Sequence, residues 1–143
     1  MAISRQRSRF LLAACAALLV VVALVVAVGV IPEVRVANVA DISSESAVPA
    51  FWVSVGFHLL AALVLVLTAA LSTGRSRIST PVLVVTGIAI LLLGFLLSDA
   101  ALAFGEAGPS MGTVTTLLFL CVAVDVLAGA LTIATAFLRP ARA

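Results

Sequence analysis

The sequence is poor in everything a water-facing surface needs. Of its 143 residues only 10% are charged and 64% are hydrophobic, and the mean hydropathy is +1.38; soluble domains carry about 25% charged and about 45–50% apolar residues. So few polar side chains cannot cover a core in water, and the outer surface must therefore meet lipid. Lysine and tyrosine are absent, so all eight basic residues are arginine, a bias that fits a GC-rich genome and needs no chemical reason. The net charge of +2 and pI of about 9.0 come with no basic stripe and no aromatic platform, which excludes a nucleic-acid partner.

Chemistry-bearing motifs are missing as well. Cys15 and Cys121 lie within apolar runs and form no C-x-x-C pair, so they are expected to pack as small hydrophobes, not as a redox or zinc site. No phosphate-cradling glycine loop, dinucleotide fingerprint, H-E-x-x-H helix or nucleophile elbow occurs. A self-contained soluble-type active site, a cofactor and a metal centre are not expected.

What the chain does have is long apolar runs. Arg5, Arg7 and Arg9 ahead of the first run resemble the start of a secretory signal. The charge-free stretch from Phe10 to Pro32 is longer than the roughly 7–15 residues of a signal core, and no A-x-A site follows, so it is expected to remain as a transmembrane helix. Three further runs match the roughly 20 residues that cross a bilayer. The expectation is an all-α integral membrane protein, one domain over 1–143, with four transmembrane helices at about 10–31, 51–72, 81–103 and 113–138. Pro32 and Pro140 are expected to follow helices, Thr80-Pro81 to start one, and Gly108-Pro109 to break the chain before the last.

Arginine placement orients the spans, because basic flanks of short loops stay in the cytoplasm. Arg5, Arg7, Arg9, Arg75, Arg77, Arg139 and Arg142 fall on one side, whereas Glu33, Arg35, Asp41, Glu45 and Glu106 fall on the other. Both termini are thus expected to be cytoplasmic, in the plasma (inner) membrane. Residues 32–50 form the longest piece outside lipid, expected as an ordered loop draped over the helix ends, with a short strand at Val34–Val39 as the alternative. Phe51 and Trp52 are expected to anchor the second span at the headgroup level.

The polar residues within the spans are the functional clue. An ionisable side chain in hydrocarbon costs at least about 2.5–3.5 kcal/mol, so such groups turn inward and find partners. Asp125 shares a helix face with Cys121, Ala128, Gly129, Thr132 and Ala136; His58 shares one with Ser54, Ala61, Ala62, Thr68 and Ser72. Both faces are small and polar, suited to close packing against another helix. Counted from the arginines at the cytoplasmic end, the two groups are expected at one depth, in the outer half of the bilayer, as a pair that titrates as a unit. Asp99, near the external end of the third span, completes the candidate intramembrane polar site. Small residues also line the third span at Gly87, Gly94, Ser98 and Ala101, and the first at Ala13, Ala16, Ala17, Ala23 and Ala27.

A faint repeat accompanies the pair. Setting His58 on Asp125 also sets Leu60-Ala61 on Leu127-Ala128, Thr68-Ala69 on Thr135-Ala136, Leu71 on Leu138 and Arg75 on Arg142. Two hairpins related by an axis along the membrane normal would produce this, and an unduplicated four-helix bundle accommodates it equally.

Three function classes fit these features. The first is a non-enzymatic accessory, assembly or scaffold subunit of a larger membrane complex, met through a membrane-protein partner or as a homo-oligomer. The second is a small oligomeric proton-coupled transporter or channel using Asp125 and His58. The chain is similar in size to the small four-helix multidrug exporters, but those carry an essential acid in their first helix, and none stands there in this sequence. The third is a membrane enzyme on a lipid-linked substrate, with Glu33, Asp41 or Asp99 as acid, base or metal ligand.

Overall fold

A computed structural model describes residues 2–36, 44–71 and 79–137. The first span runs as α1 (Ala2–Val25), a wider π-helical turn (Val26–Val30) and α2 (Ile31–Val36). It is followed by α3 (Ser44–Leu71), α4 (Ser79–Glu106), a short 3-10 turn (Pro109–Met111) and α5 (Gly112–Phe137). Four segments, Gln6–Val36, Glu45–Leu71, Thr80–Glu106 and Pro109–Phe137, are long and apolar enough to cross a membrane. The chain is thus an all-helical four-helix protein with four candidate membrane spans.

Helix extends well into the segment read from the sequence as a loop. Pro32 does not end the first span, because the π turn prepares for it. In a regular α-helix the proline ring would strike the carbonyl four residues back, and its missing N–H would leave that carbonyl unpaired. Here the Ile31 N–H bonds the Val26 carbonyl, five residues back, and the widened turn carries the helix through the proline to Val36. On the other side α3 starts at Ser44 and includes Pro49, so only 37–43 lies between the two helices, outside the described residues. The alternative strand at Val34–Val39 is excluded over 34–36, which is helical. Pro140 lies outside the described residues, whereas Pro81 falls in the first turn of α4. Between α4 and α5 the chain reverses at Gly108, whose φ of 109° is open to glycine alone at little cost, and the Met111 N–H closes the turn on the Gly108 carbonyl at 3.1 Å.

The four long helices form a ring. The first span packs on α3 and α5, α4 packs on α5 and α3, and α4 with α5 is the most intimate contact. Helices α3 and α5 therefore stand across the bundle from one another. Lipid is as apolar as leucine, so helices in it are held by close van der Waals contact more than by exclusion of water, and small residues at crossings bring backbones together. Gly87 and Gly129 do this between α4 and α5. A methyl group on Gly87 would stand 2.5 Å from Ile133 Cγ1 and 3.0 Å from the Gly129 carbonyl oxygen; one on Gly129 would stand 2.8 Å from Leu91 and 3.0 Å from the Gly87 carbonyl oxygen. In the first span Ala16 and Ala23 are buried, whereas Ala13 and Ala17 face out.

Interior side chains fall into two apolar clusters, one above the other. One gathers Val22, Val26, Val30, Phe51, Val55, Leu97, Phe104, Leu118 and Cys121. The other gathers Leu12, Cys15, Leu19, Ala61, Leu65, Leu83, Ile90, Ala128 and Ala136. Phe51 belongs to the first of these: it is 5% exposed and stacks on Phe104 at a centroid separation of 6.0 Å, so it is a core residue and not a headgroup anchor. The longer α3 places it a turn and more inside the helix instead of at its start. Trp52 beside it does face outward.

The α4–α5 crossing makes a prediction. Gly87→Ala should lower bundle stability by about 1–3 kcal/mol, the usual cost of overpacking. Gly56→Ala, where an added methyl meets nothing within 4 Å, should be neutral or stabilising by up to about 1 kcal/mol through helix propensity. Unfolding in mixed detergent micelles with increasing dodecyl sulfate would measure both.

Candidate functional site

Between the two apolar clusters lies one polar layer. His58, at the middle of α3, and Asp125, at the middle of α5, meet there with both side chains at 0% exposure. Imidazole Nε2 lies 2.9 Å from Asp125 Oδ2 and 3.1 Å from Oδ1. The pair reaches across the diagonal of the ring, joining two helices that are not packing neighbours. Its level is mid-bundle, at the middle of the two helices that carry it.

The backbone decides how many protons the pair holds. Nδ1 lies 2.7 Å from the Ser54 carbonyl oxygen, and a carbonyl can only accept, so Nδ1 carries a hydrogen and donates it. One proton then remains for the contact between Nε2 and the carboxyl group. Whether it rests on the ring, giving imidazolium and carboxylate, or on the acid, giving neutral imidazole and carboxylic acid, the pair as a whole is uncharged. The Ser54 hydroxyl stands 3.4 Å from the same Nδ1 as a minor partner. A neutral, hydrogen-bonded pair is the form in which ionisable groups can occupy hydrocarbon at modest cost.

The residues one turn from Asp125 on the buried face of α5 are small. Cys121, Ala128, Gly129, Thr132 and Ala136, all expected on its face, are buried, as are Ala61 and Ala62 beside His58; Ser54 and Thr68 are half-buried, and Ser72 lies outside the described residues. The hydroxyls of Thr132 and Thr135 fold back onto their own helix, bonding the Ala128 and Leu131 carbonyls at 2.7 Å each. They do not compete for the carboxylate. Both cysteines are free and buried.

Gly94 is the residue whose role the sequence did not reveal. A methyl group on it would sit 3.0 Å from Asp125 Cβ and 3.8 Å from Oδ2, so its missing side chain provides the space the aspartate occupies. The signal was present only as spacing: Gly87 and Gly94 stand seven apart on α4, and Gly129 stands one turn from Asp125. Gly87 and Gly94 each have a partner on α5, one a backbone and the other the acid.

Asp99 does not join the pair. It lies exposed on α4, as do Glu33 on α2 and Glu106 at the end of α4, and Asp41 is outside the described residues. Among the described residues no group of three or more His, Cys, Asp or Glu side chains assembles in a way that could hold a metal ion. An open groove of about 450 Å³ beside Gln6, Arg7, Phe10 and Leu11 belongs to the start of α1, roughly 20 Å along the helix from the level of the pair. Comparison with protein-family models, with curated proteins and with solved structures gives no match.

The pair makes a double-mutant prediction. His58→Leu or Asp125→Leu alone strands one ionisable group in the interior and should cost about 3–5 kcal/mol. The double substitution removes both groups and should be more stable than either single one, with a positive coupling read from reversible unfolding in bicelles.

Proposed function

We propose that this chain is a non-enzymatic accessory, assembly or scaffold subunit of a larger complex in the plasma (inner) membrane. The observation that carries this reading is the His58–Asp125 layer. The His58–Asp125 pair inside the bundle neutralises itself, is sealed between two apolar clusters and bonds within its own chain. Such a pair fixes the relation of α3 to α5 and leaves the outward surface to do the work. That surface is apolar on every span: Val28, Phe57, Leu60, Phe95, Leu96, Val126 and Leu127 all face out. It suits the lipid bilayer and the apolar sides of partner transmembrane helices alike, whether from a foreign subunit or from a second copy.

In this reading both termini are cytoplasmic. Seven of the arginines belong to the chain start, the 72–78 connection and the chain end, which alternate spans bring to one side. Reporter fusions after 36 and 108 should report the outer side, and a fusion at the end of the chain the cytoplasm. Opposite outcomes would invert the orientation.

A second reading rests on the shared proton. A small oligomeric proton-coupled transporter or channel could use Asp125 as carrier and His58 as its partner, since one mid-membrane proton can sit on either group. The two readings separate in one experiment: extraction into lipid nanodiscs followed by intact-mass analysis. A foreign subunit in fixed ratio supports the accessory role. A homo-oligomer whose pH-dependent flux in liposomes vanishes in Asp125→Asn, with assembly intact, would replace it by transport.

A further inference from the structure

The residues that meet at the polar layer are also the residues that the faint repeat sets on one another. His58 and Asp125 are 67 positions apart, and the same shift lays the buried face of α3 onto that of α5. Phe51 falls on Leu118, Ala61 on Ala128, Ala62 on Gly129 and Leu65 on Thr132, and all of these are buried. The Thr68 hydroxyl donates to the Val64 carbonyl at 2.7 Å, and its counterpart Thr135 donates to Leu131, the counterpart of Val64, at the same distance.

The first span and α4 follow the shift only in part: buried Val22 falls on exposed Ala89 and exposed Val20 on buried Gly87, whereas five other pairs keep their burial. Ala16, Leu19, Ala23, Val30 and Val34 fall on Leu83, Thr86, Ile90, Leu97 and Ala101, every one buried. Helical periodicity alone would allow a shift longer or shorter by one turn. It would not keep the depth, and the direct contact of His58 with its own counterpart fixes the depth. Corresponding helices stand diagonally across the ring and run in the same direction, which is the arrangement produced by a two-fold axis along the bundle.

On such an axis each residue meets its own copy. Two identical hairpins would there set histidine against histidine or aspartate against aspartate, with like groups competing for one charge state or one proton in a site without water. Two copies joined in one chain are free to differ at that position. We infer that the chain is an internal duplication of one helical hairpin. The His58–Asp125 pair is the matching element that selects the pairing of the first hairpin with the second over the pairing of either with its like.

A matching element on an axis works in either orientation. An imidazole moved to position 125 would find the Cys121 carbonyl where His58 finds that of Ser54, since those two also correspond by the same shift, and would find an aspartate at 58 as its acid. The test uses the full chain in nanodiscs as H58D, as D125H and as the exchanged H58D/D125H. Each single variant should lose thermal midpoint, and the exchange should recover more than half of the larger loss. Because the chain holds one histidine, the ¹⁵N signals of that ring report its partners directly, and in the exchanged chain they should match the native pattern. An exchanged chain no more stable than the worse single variant would overturn the inference. So would a relocated ring with the signals of free tautomeric exchange, even if some stability returned. Should the single variants fail to insert, insertion of the exchanged chain together with its ring signals decides the question.

Discussion

One shared proton organises the interior of this bundle. Because the Ser54 carbonyl obliges Nδ1 to donate, the contact between Nε2 and Asp125 holds a single proton, and only with that proton is the layer neutral. Adding or removing one leaves a net charge at mid-bundle, where hydrocarbon provides no water to answer it. The rest of the core conforms to this requirement. Gly94 clears space for the carboxyl group, the threonines below it bond their own helix, and the apolar clusters close over both sides.

The pair does what apolar packing cannot do in lipid. Within a bilayer, leucine gains little by leaving acyl chains for a protein interior, so side-chain shape and close backbone approach decide which helices associate. Between α4 and α5 that role falls to Gly87 and Gly129, which bring the two backbones together. Across the diagonal α3 and α5 are not close-packed neighbours, and they are joined by the imidazole of His58 and the carboxyl group of Asp125 instead. Interhelical hydrogen bonds in membranes average about 0.6 kcal/mol, a small contribution to stability. A wrong pairing, by contrast, strands an ionisable group, and the difference between the two is what makes the contact selective.

Much of this was legible from residue types. Four runs of about twenty apolar residues can do little except span, and the small residues flanking Asp125 mark the face that turns inward; all of those described are buried. Three features were not legible, each for a local reason. Pro32 reads as a stop, but a π turn shifts the hydrogen-bond register, and that is a property of five valines, alanines and glycines with no signature of their own. Phe51 reads as an anchor because the start of α3 at Ser44 is hidden in a polar stretch of serines and a glutamate. Gly94 was visible as a small residue, but which neighbour it accommodates depends on how α4 rotates against α5, and periodicity does not carry that information.

The geometry of the pair bears on the choice between holding and carrying. A proton carrier must exchange with water on each side in turn, and so must visit states in which its site is open and its charge has changed. Here the acid faces a histidine that already returns its proton, within a layer that is closed when neutral and costly when not. The same arrangement is ideal for a fixed joint, because the lowest-energy state is the one with both partners present and no other molecule involved. A joint of this kind rigidifies the axis of the bundle and commits nothing on its lipid-facing surface, leaving that surface free to meet another transmembrane chain.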